Sequence, residues 1–123
     1  SINKHLEDFV TPIKKDGEPY NRINPKELKT LIEKSNPKII DVREVHEYDT
    51  GHIKSSELIP LHTVESWISK NNEINERIYF VCQMGVRSAL ACEISAAYGV
   101  EENLLFNLEG GMNEWLINGF EVE

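Results

Sequence analysis

The stretch Arg77-Ile78-Tyr79-Phe80-Val81-Cys82-Gln83-Met84-Gly85-Val86-Arg87-Ser88 decides how the rest of this 123-residue chain is read. Its first half is apolar, with the β-branched and aromatic side chains of a buried strand. A turn containing Gly85 follows, and Ala89 to Ala97 continues in strong helix formers. Cys82 is therefore expected at the carboxyl end of a strand, facing a helix start whose first amides lack intrahelical acceptors and favour negative charge. An ordinary thiol is only a few per cent ionised at neutral pH. A helix N-terminus contributes roughly 0.3–1 kcal/mol, up to about 2 when partly buried. Further amide donors and the guanidinium of Arg87 must therefore join in to hold a thiolate. Free cysteine is also a common core residue. The Gly and the Arg at these offsets turn the reading from packing towards chemistry on sulfur.

Working outward, strand-like and helix-like segments alternate. Asn24-Pro25 combines an N-cap residue with proline at the first helical position, and Leu28, Leu31 and Ile32 place a helix over 25–35. Lys38 to Val42 reads as a buried strand, His46 to Tyr48 as a brief helical turn closed by Gly51, and Leu58 to Leu61 as another strand. A short helix carries Val64, Trp67 and Ile68 and ends at Asn71-Asn72, and the helix after the Cys82 loop ends at Tyr98 with Gly99 as its cap. Leu104 to Phe106 is the last strand; Gly110-Gly111 precedes a closing helix with Met112, Trp115 and Leu116 on one face. Such alternation predicts an α/β fold, a three-layer α/β/α sandwich around a mostly parallel sheet of about five strands. Ligands bind such folds beyond the carboxyl ends of the strands, where Cys82 lies. Residues 1–21 read as a polar N-terminal extension with scattered apolar residues (Leu6, Phe9, Val10, Ile13), and 22–123 as the domain.

Bulk properties narrow the function classes. A net charge of −8 argues against nucleic acid or an anionic membrane as partner. No apolar run approaches the ~18 residues of a membrane span. No secretory h-region is visible, and two cysteines make no disulfide framework, so a cytoplasmic setting is expected. No His/Cys cluster has zinc-like spacing, so no metal is expected.

Three separated segments together resemble the rhodanese family of sulfurtransferases. They are Ile40-Asp41-Val42-Arg43-Glu44 running through Glu47-Tyr48 to Gly51-His52-Ile53; Cys82 to Ser88; and Leu108-Glu109-Gly110-Gly111-Met112-Asn113-Glu114-Trp115 with Gly119. The resemblance implies a rhodanese-like fold and a thiosulfate sulfurtransferase activity. Cys82 would be the catalytic nucleophile that becomes a persulfide. Gln83, Met84, Gly85, Val86, Arg87 and Ser88 would form the substrate-binding loop, with no cofactor. The donor would be a small sulfur-containing anion or a protein persulfide, and the acceptor cyanide in assays, a cellular thiol or a protein. Alternatives are a sulfur-carrier or regulatory binding module, as part of a larger protein, and a phosphatase. Related dual-specificity phosphatases enclose five residues between Cys and Arg. Here Cys82 and Arg87 enclose four, a narrower ring that favours sulfur.

Other residues weigh towards structure. Asp41, Arg43 and Glu44 are expected to brace the loop rather than bind substrate. His52 is assigned to structure rather than to a base, and Cys92 to the core rather than to a resolving thiol. Trp67 and Trp115 read as core anchors, and Ser88 as a helix cap or a donor to the bound anion.

Overall fold

The computed structural model describes residues 14–15, 17–71 and 73–123. Most of the expected N-terminal extension, including Leu6, Phe9, Val10 and Ile13, lies outside the described residues, as does Asn72. Five strands run β1 (Asn21–Ile23), β2 (Lys38–Asp41), β3 (Glu57–Leu58), β4 (Ile78–Val81) and β5 (Leu105–Leu108). They form one sheet in the order β1-β5-β4-β2-β3, and every pairing is parallel. Among the described residues four helices connect them, α1 (Pro25–Lys34), α2 (Val45–Asp49), α3 (Leu61–Lys70) and α4 (Val86–Ala97), and a fifth, α5 (Gly111–Ile117), follows β5. A 3-10 turn over Glu102–Leu104 precedes β5.

The period of two along the central strands sorts side chains to two buried faces. Ile39, Tyr79, Val81, Phe106 and Leu108 pack with Leu28 and Leu31 of α1 and with Met112 and Trp115 of α5. Ile40, Ile78, Phe80 and Leu105 pack on the other face with Val64 and Ile68 of α3 and with Ala91 and Cys92 of α4. This is the expected α/β/α sandwich. At β4 all four residues are buried, and the even parity of Ile78 and Phe80 continues to Cys82 on the α3/α4 side.

The start of α1 follows the Asn24-Pro25 signal, with a reciprocal capping box. The Glu27 amide donates to Asn24 Oδ1 at 2.8 Å, and the Asn24 amide to Glu27 Oε1 at 3.3 Å. Three boundaries differ from expectation. The strand expected through Leu61 stops at Leu58. Ile59 and Leu61 still donate to Asp41 and Val42, but Pro60 is already the N-cap of α3, which begins at Leu61. Leu104 belongs to the 3-10 turn, and β5 runs on to Leu108. Asn21–Ile23, with a single apolar side chain at Ile23, carries little strand signal. Its pairing with β5 from Asn21↔Phe106 to Ile23↔Leu108 makes it the sheet's edge, and Tyr20 and Asn21 are buried there. Among the described residues no helix is long and apolar enough to cross a membrane.

Candidate active site

Because β2 and β4 pair in register (Asp41↔Val81) and β5 lies on the far side of β4 (Phe80↔Asn107), three strand ends bring Asp41, Cys82 and Asn107 to one rim of the sheet. Cys82 is the first residue after β4. Its Sγ accepts a hydrogen bond from the Gly85 amide at 3.0 Å and lies 3.3 Å from Ser88 Oγ. Gly85 takes φ +100, a left-handed conformation that costs an L side chain roughly 1–2 kcal/mol, and caps the start of α4. The turn thus folds its own amide back onto the sulfur. The chain then enters α4 with the amides of Val86, Arg87 and Ser88 in the first turn.

The other wall is set by the third motif. The Met112 amide at the start of α5 donates to the Cys82 carbonyl at 2.9 Å, and the Asn113 amide donates to the Gln83 carbonyl at 3.0 Å. In a trans peptide the carbonyl and the following N–H point in opposite directions. Tying those two carbonyls to α5 therefore turns the amides of Gln83 and Met84 towards the other side of the loop. Among the described residues neither amide has a protein acceptor. The result is a ring of donors suited to a sulfur anion. The approach is so close that a Cβ on Gly111 (φ +55) would sit 2.3 Å from the Cys82 carbonyl oxygen and 2.7 Å from the Gln83 backbone. Gly111→Ala is expected to destabilise the fold by roughly 2–4 kcal/mol and to slow Cys82 alkylation. At Gly119 (φ +76) the Cβ meets nothing within 4 Å, and Ala there should cost only the backbone term, about 1–2 kcal/mol. Urea melts and iodoacetamide kinetics of the two variants check the contrast.

Arg43 is the hub of the bracing network. It is buried and holds Asp41 through Nε to Oδ1 at 3.0 Å and Nη2 to Oδ2 at 2.8 Å. It also donates to the carbonyls of Glu47 (3.2 Å) and Gly51 (2.8 Å) and to Gln83 Oε1 (3.1 Å). Gln83 Nε2 in turn donates to Asn113 Oδ1 at 2.7 Å. Asp41 and Arg43 brace the loop, as the sequence suggested. Glu44 does not join them; it is the N-cap of α2. The Gln83 side chain, expected among the substrate contacts, serves the brace instead, and only its backbone faces the ring.

Arg87, expected to contact an anionic substrate, is clasped by Glu47 of α2, with Nη1 to Oε1 at 2.7 Å and Nη2 to Oε2 at 2.8 Å. This fork-on-fork bond holds the Glu47 carboxyl down at about 2, aided by the Glu44 amide that donates to Oε1, and raises Arg87 above its ordinary value. A carboxyl depressed on folding stabilises the fold above its unfolded value and loses that contribution as pH falls through the folded one. The stability gap between the native chain and Glu47→Gln should therefore be full above pH 4.5 and close as pH falls towards about 2. Urea melts at stepped pH check the sign.

Asn107 carried no signal at the level of sequence, an amide within an apolar strand. It donates from Nδ2 to the Gly85 carbonyl at 3.0 Å, and Oδ1 accepts from Ser88 Oγ. Ser88 is fully buried and joins Asn107 to the sulfur, so its hydroxyl faces the loop rather than capping a helix through solvent. Glu47 stood within a quoted motif, but its partner 40 residues away was invisible. Met84 and Val86 project outward, 68% and 76% exposed, and flank the mouth of the ring. Cys92 is fully buried in the helix layer, where burial pushes its thiol well up, as suits a core residue and not a resolving nucleophile. His52 stacks on Tyr48 at 3.7 Å, with Nδ1 2.9 Å from the Tyr48 carbonyl and Nε2 3.7 Å from Glu123, which is a structural placement. Among the described residues no three His, Cys, Asp or Glu side chains cluster as metal ligands would.

Known proteins are similar to this chain in sequence and in fold. The sequence matches the Rhodanese-like domain over residues 24–118. It is 38% identical over 77 residues to the putative sulfur carrier protein YrkF of Bacillus subtilis (strain 168), covering 63% of this chain and 40% of that protein. The chain thus spans less than half the length of that relative. A rhodanese-related protein from Thermoplasma volcanium superposes with a TM-score of 0.72 at 31% identity, covering 85% of this chain and 98% of the other. The human single-domain sulfurtransferase TSTD1 superposes with a TM-score of 0.66 at 25% identity, covering 82% and 97%. With the family match spanning the strand ends, the Cys82 loop and the helix that holds it, this chain belongs to the rhodanese-like domain family.

Proposed function

We propose that the protein is a sulfurtransferase that moves a sulfane sulfur through a persulfide on Cys82. The observation that carries this reading is the Cys82 Sγ set against the Gly85 amide inside a loop whose carbonyls are tied back to α5. In the first half-reaction the Cys82 thiolate attacks the outer sulfur of thiosulfate or of a persulfide donor. A bond forms from Sγ to that sulfur, and the donor's S–S bond breaks with its electron pair leaving on sulfite or thiolate. The outer sulfur of the new persulfide is anionic, and the loop amides are placed to hold it. In the second half-reaction cyanide, a thiol or a protein cysteine attacks that sulfur, and the electron pair returns to Cys82. No electrons are gained or lost overall, so the cycle needs neither metal nor organic cofactor.

The Arg87–Glu47 clasp bears on the donor. The Glu47 carboxylate balances the charge of Arg87 and takes two of its N–H donors, which weakens its attraction for a small dianion such as phosphate or thiosulfate. Glu47→Gln should free Arg87 and raise kcat/KM for thiosulfate several-fold in steady-state assays. The decisive experiment for the function is intact mass after incubation with thiosulfate or a low-molecular-weight persulfide. Gain of one sulfur atom, removed by cyanide, is expected; no gain with either donor overturns the proposal. The relative named as a putative sulfur carrier favours a second reading, in which Cys82 loads but hands sulfur only to a cognate protein. Loading without turnover on small acceptors would select it.

A further inference from the structure

Cys82 is only 1% exposed, so anything that exchanges sulfur with it must reach in through the mouth of the loop. On one side of that mouth lies a groove of about 530 Å³. Met84 at the loop tip and Val86 and Leu90 on α4 supply its exposed apolar surface, at 68%, 76% and 45% exposure. Val86 and Leu90 stand four residues apart and so share one helix face. Large apolar side chains left in water together, next to a reactive group, mark a contact surface, and methionine adapts to varied partners.

The charges of the groove say what kind of partner fits. Its one cation, Arg22, is already forked by Glu18, at 3.0 Å from Nε and 2.7 Å from Nη2. Its two carboxylates, Glu93 and Glu109, have no ion-pair partner among the described residues. The groove therefore offers an apolar strip with a net negative charge, in a chain whose net charge is −8. Such a surface repels a small anion and attracts a segment bearing apolar and basic residues.

We propose that this groove docks an extended, cysteine-bearing segment of a partner protein, with Lys or Arg beside an apolar residue, which gives sulfur to Cys82 or takes it. The proposal rests on the sulfur-transfer reading and names the partner class for that same site. In the accepting direction, the segment's thiolate attacks the outer sulfur of the Cys82 persulfide. A new S–S bond forms on the segment, the Sγ–S bond breaks, and Cys82 recovers its electron pair.

The test uses two synthetic peptides of equal length, each with one cysteine beside leucine, one flanked by lysines and one by glutamates. The neutral thiol 2-mercaptoethanol serves as a small acceptor. With thiosulfate-loaded protein at low salt, kcat/KM should be about tenfold higher for the lysine peptide than for the glutamate peptide, and salt should shrink that ratio. The double variant Glu93→Gln/Glu109→Gln should bring the lysine peptide close to the glutamate peptide, and Leu90→Ser should slow both peptides. Rates with 2-mercaptoethanol should stay constant throughout. Equal rates for the two peptides in the native chain, or equal slowing of 2-mercaptoethanol in the variants, overturn the docking proposal while leaving sulfur transfer intact. The same peptides with serine for cysteine, followed by fluorescence polarisation on unloaded protein, decide docking even if loading fails. Tighter binding of the lysine peptide, lost in the double variant, is expected; equal binding rejects it.

Discussion

Cys82→Ala is expected to abolish sulfur transfer from any donor while leaving a folded protein. The side chain lost is small, and the cavity it leaves is about the size of one sulfur atom. Its one backbone contact is the Gly85 amide at 3.0 Å, and leaving that donor without an acceptor costs about 1–3 kcal/mol. That is affordable within the usual stability of a domain. The chemistry has no such margin. Cys92, the chain's other cysteine, is buried with its thiol held protonated, so it cannot substitute. Cys82→Ser sharpens the test: its hydroxyl can still accept from Gly85, so the fold should be closer to native, yet it is no thiolate and should not load. Loss of mass gain in both variants, with urea midpoints close to native, is the expected pair of results. Residual transfer in either variant would place the nucleophile elsewhere.

Asp41→Ala should have the largest effect on stability. Asp41 and Arg43 are 1% and 2% exposed, and their fork is the most buried ion pair of the molecule's described residues. Removing one member of a buried pair leaves an uncompensated charge and costs about 3–5 kcal/mol. Arg43 keeps three neutral acceptors, the carbonyls of Glu47 and Gly51 and the Gln83 amide oxygen, which places the effect towards the lower end. The damage should also reach the site, because Arg43 steadies Gln83 next to Cys82. Urea melts should show the loss of stability. Alkylation of Cys82 under fully folding conditions should show a looser loop through a changed rate. The double variant Asp41→Ala/Arg43→Met removes both charges and should recover part of the stability, which a simple packing defect would not.

How much of this was legible in the chain itself depends on how far each cause reaches. The strand–turn–helix around Cys82, the Asn24-Pro25 helix start and the glycine turns follow from residues within one or two turns of each other. Periodicity, capping and positive φ are local, and they placed Cys82 at its strand end, the layers of the fold and the family motifs. The ion-pair and amide partners are not local. Arg87 meets Glu47, and Ser88 meets Asn107, only because the sheet order β1-β5-β4-β2-β3 sets the ends of β2 and β5 on either side of β4. The same convergence gave Gln83 a bracing role, made a strand of Asn21–Ile23 by pairing it with β5, and left Met84, Val86 and Leu90 exposed beside Glu93 and Glu109. Sequence alone therefore determined which residue stands at the strand end before the loop, and with it the group proposed for the chemistry. Tertiary structure decided which charges remain free to meet a substrate, since a charge is cancelled by whatever lies within a few ångströms of it, however far away along the chain.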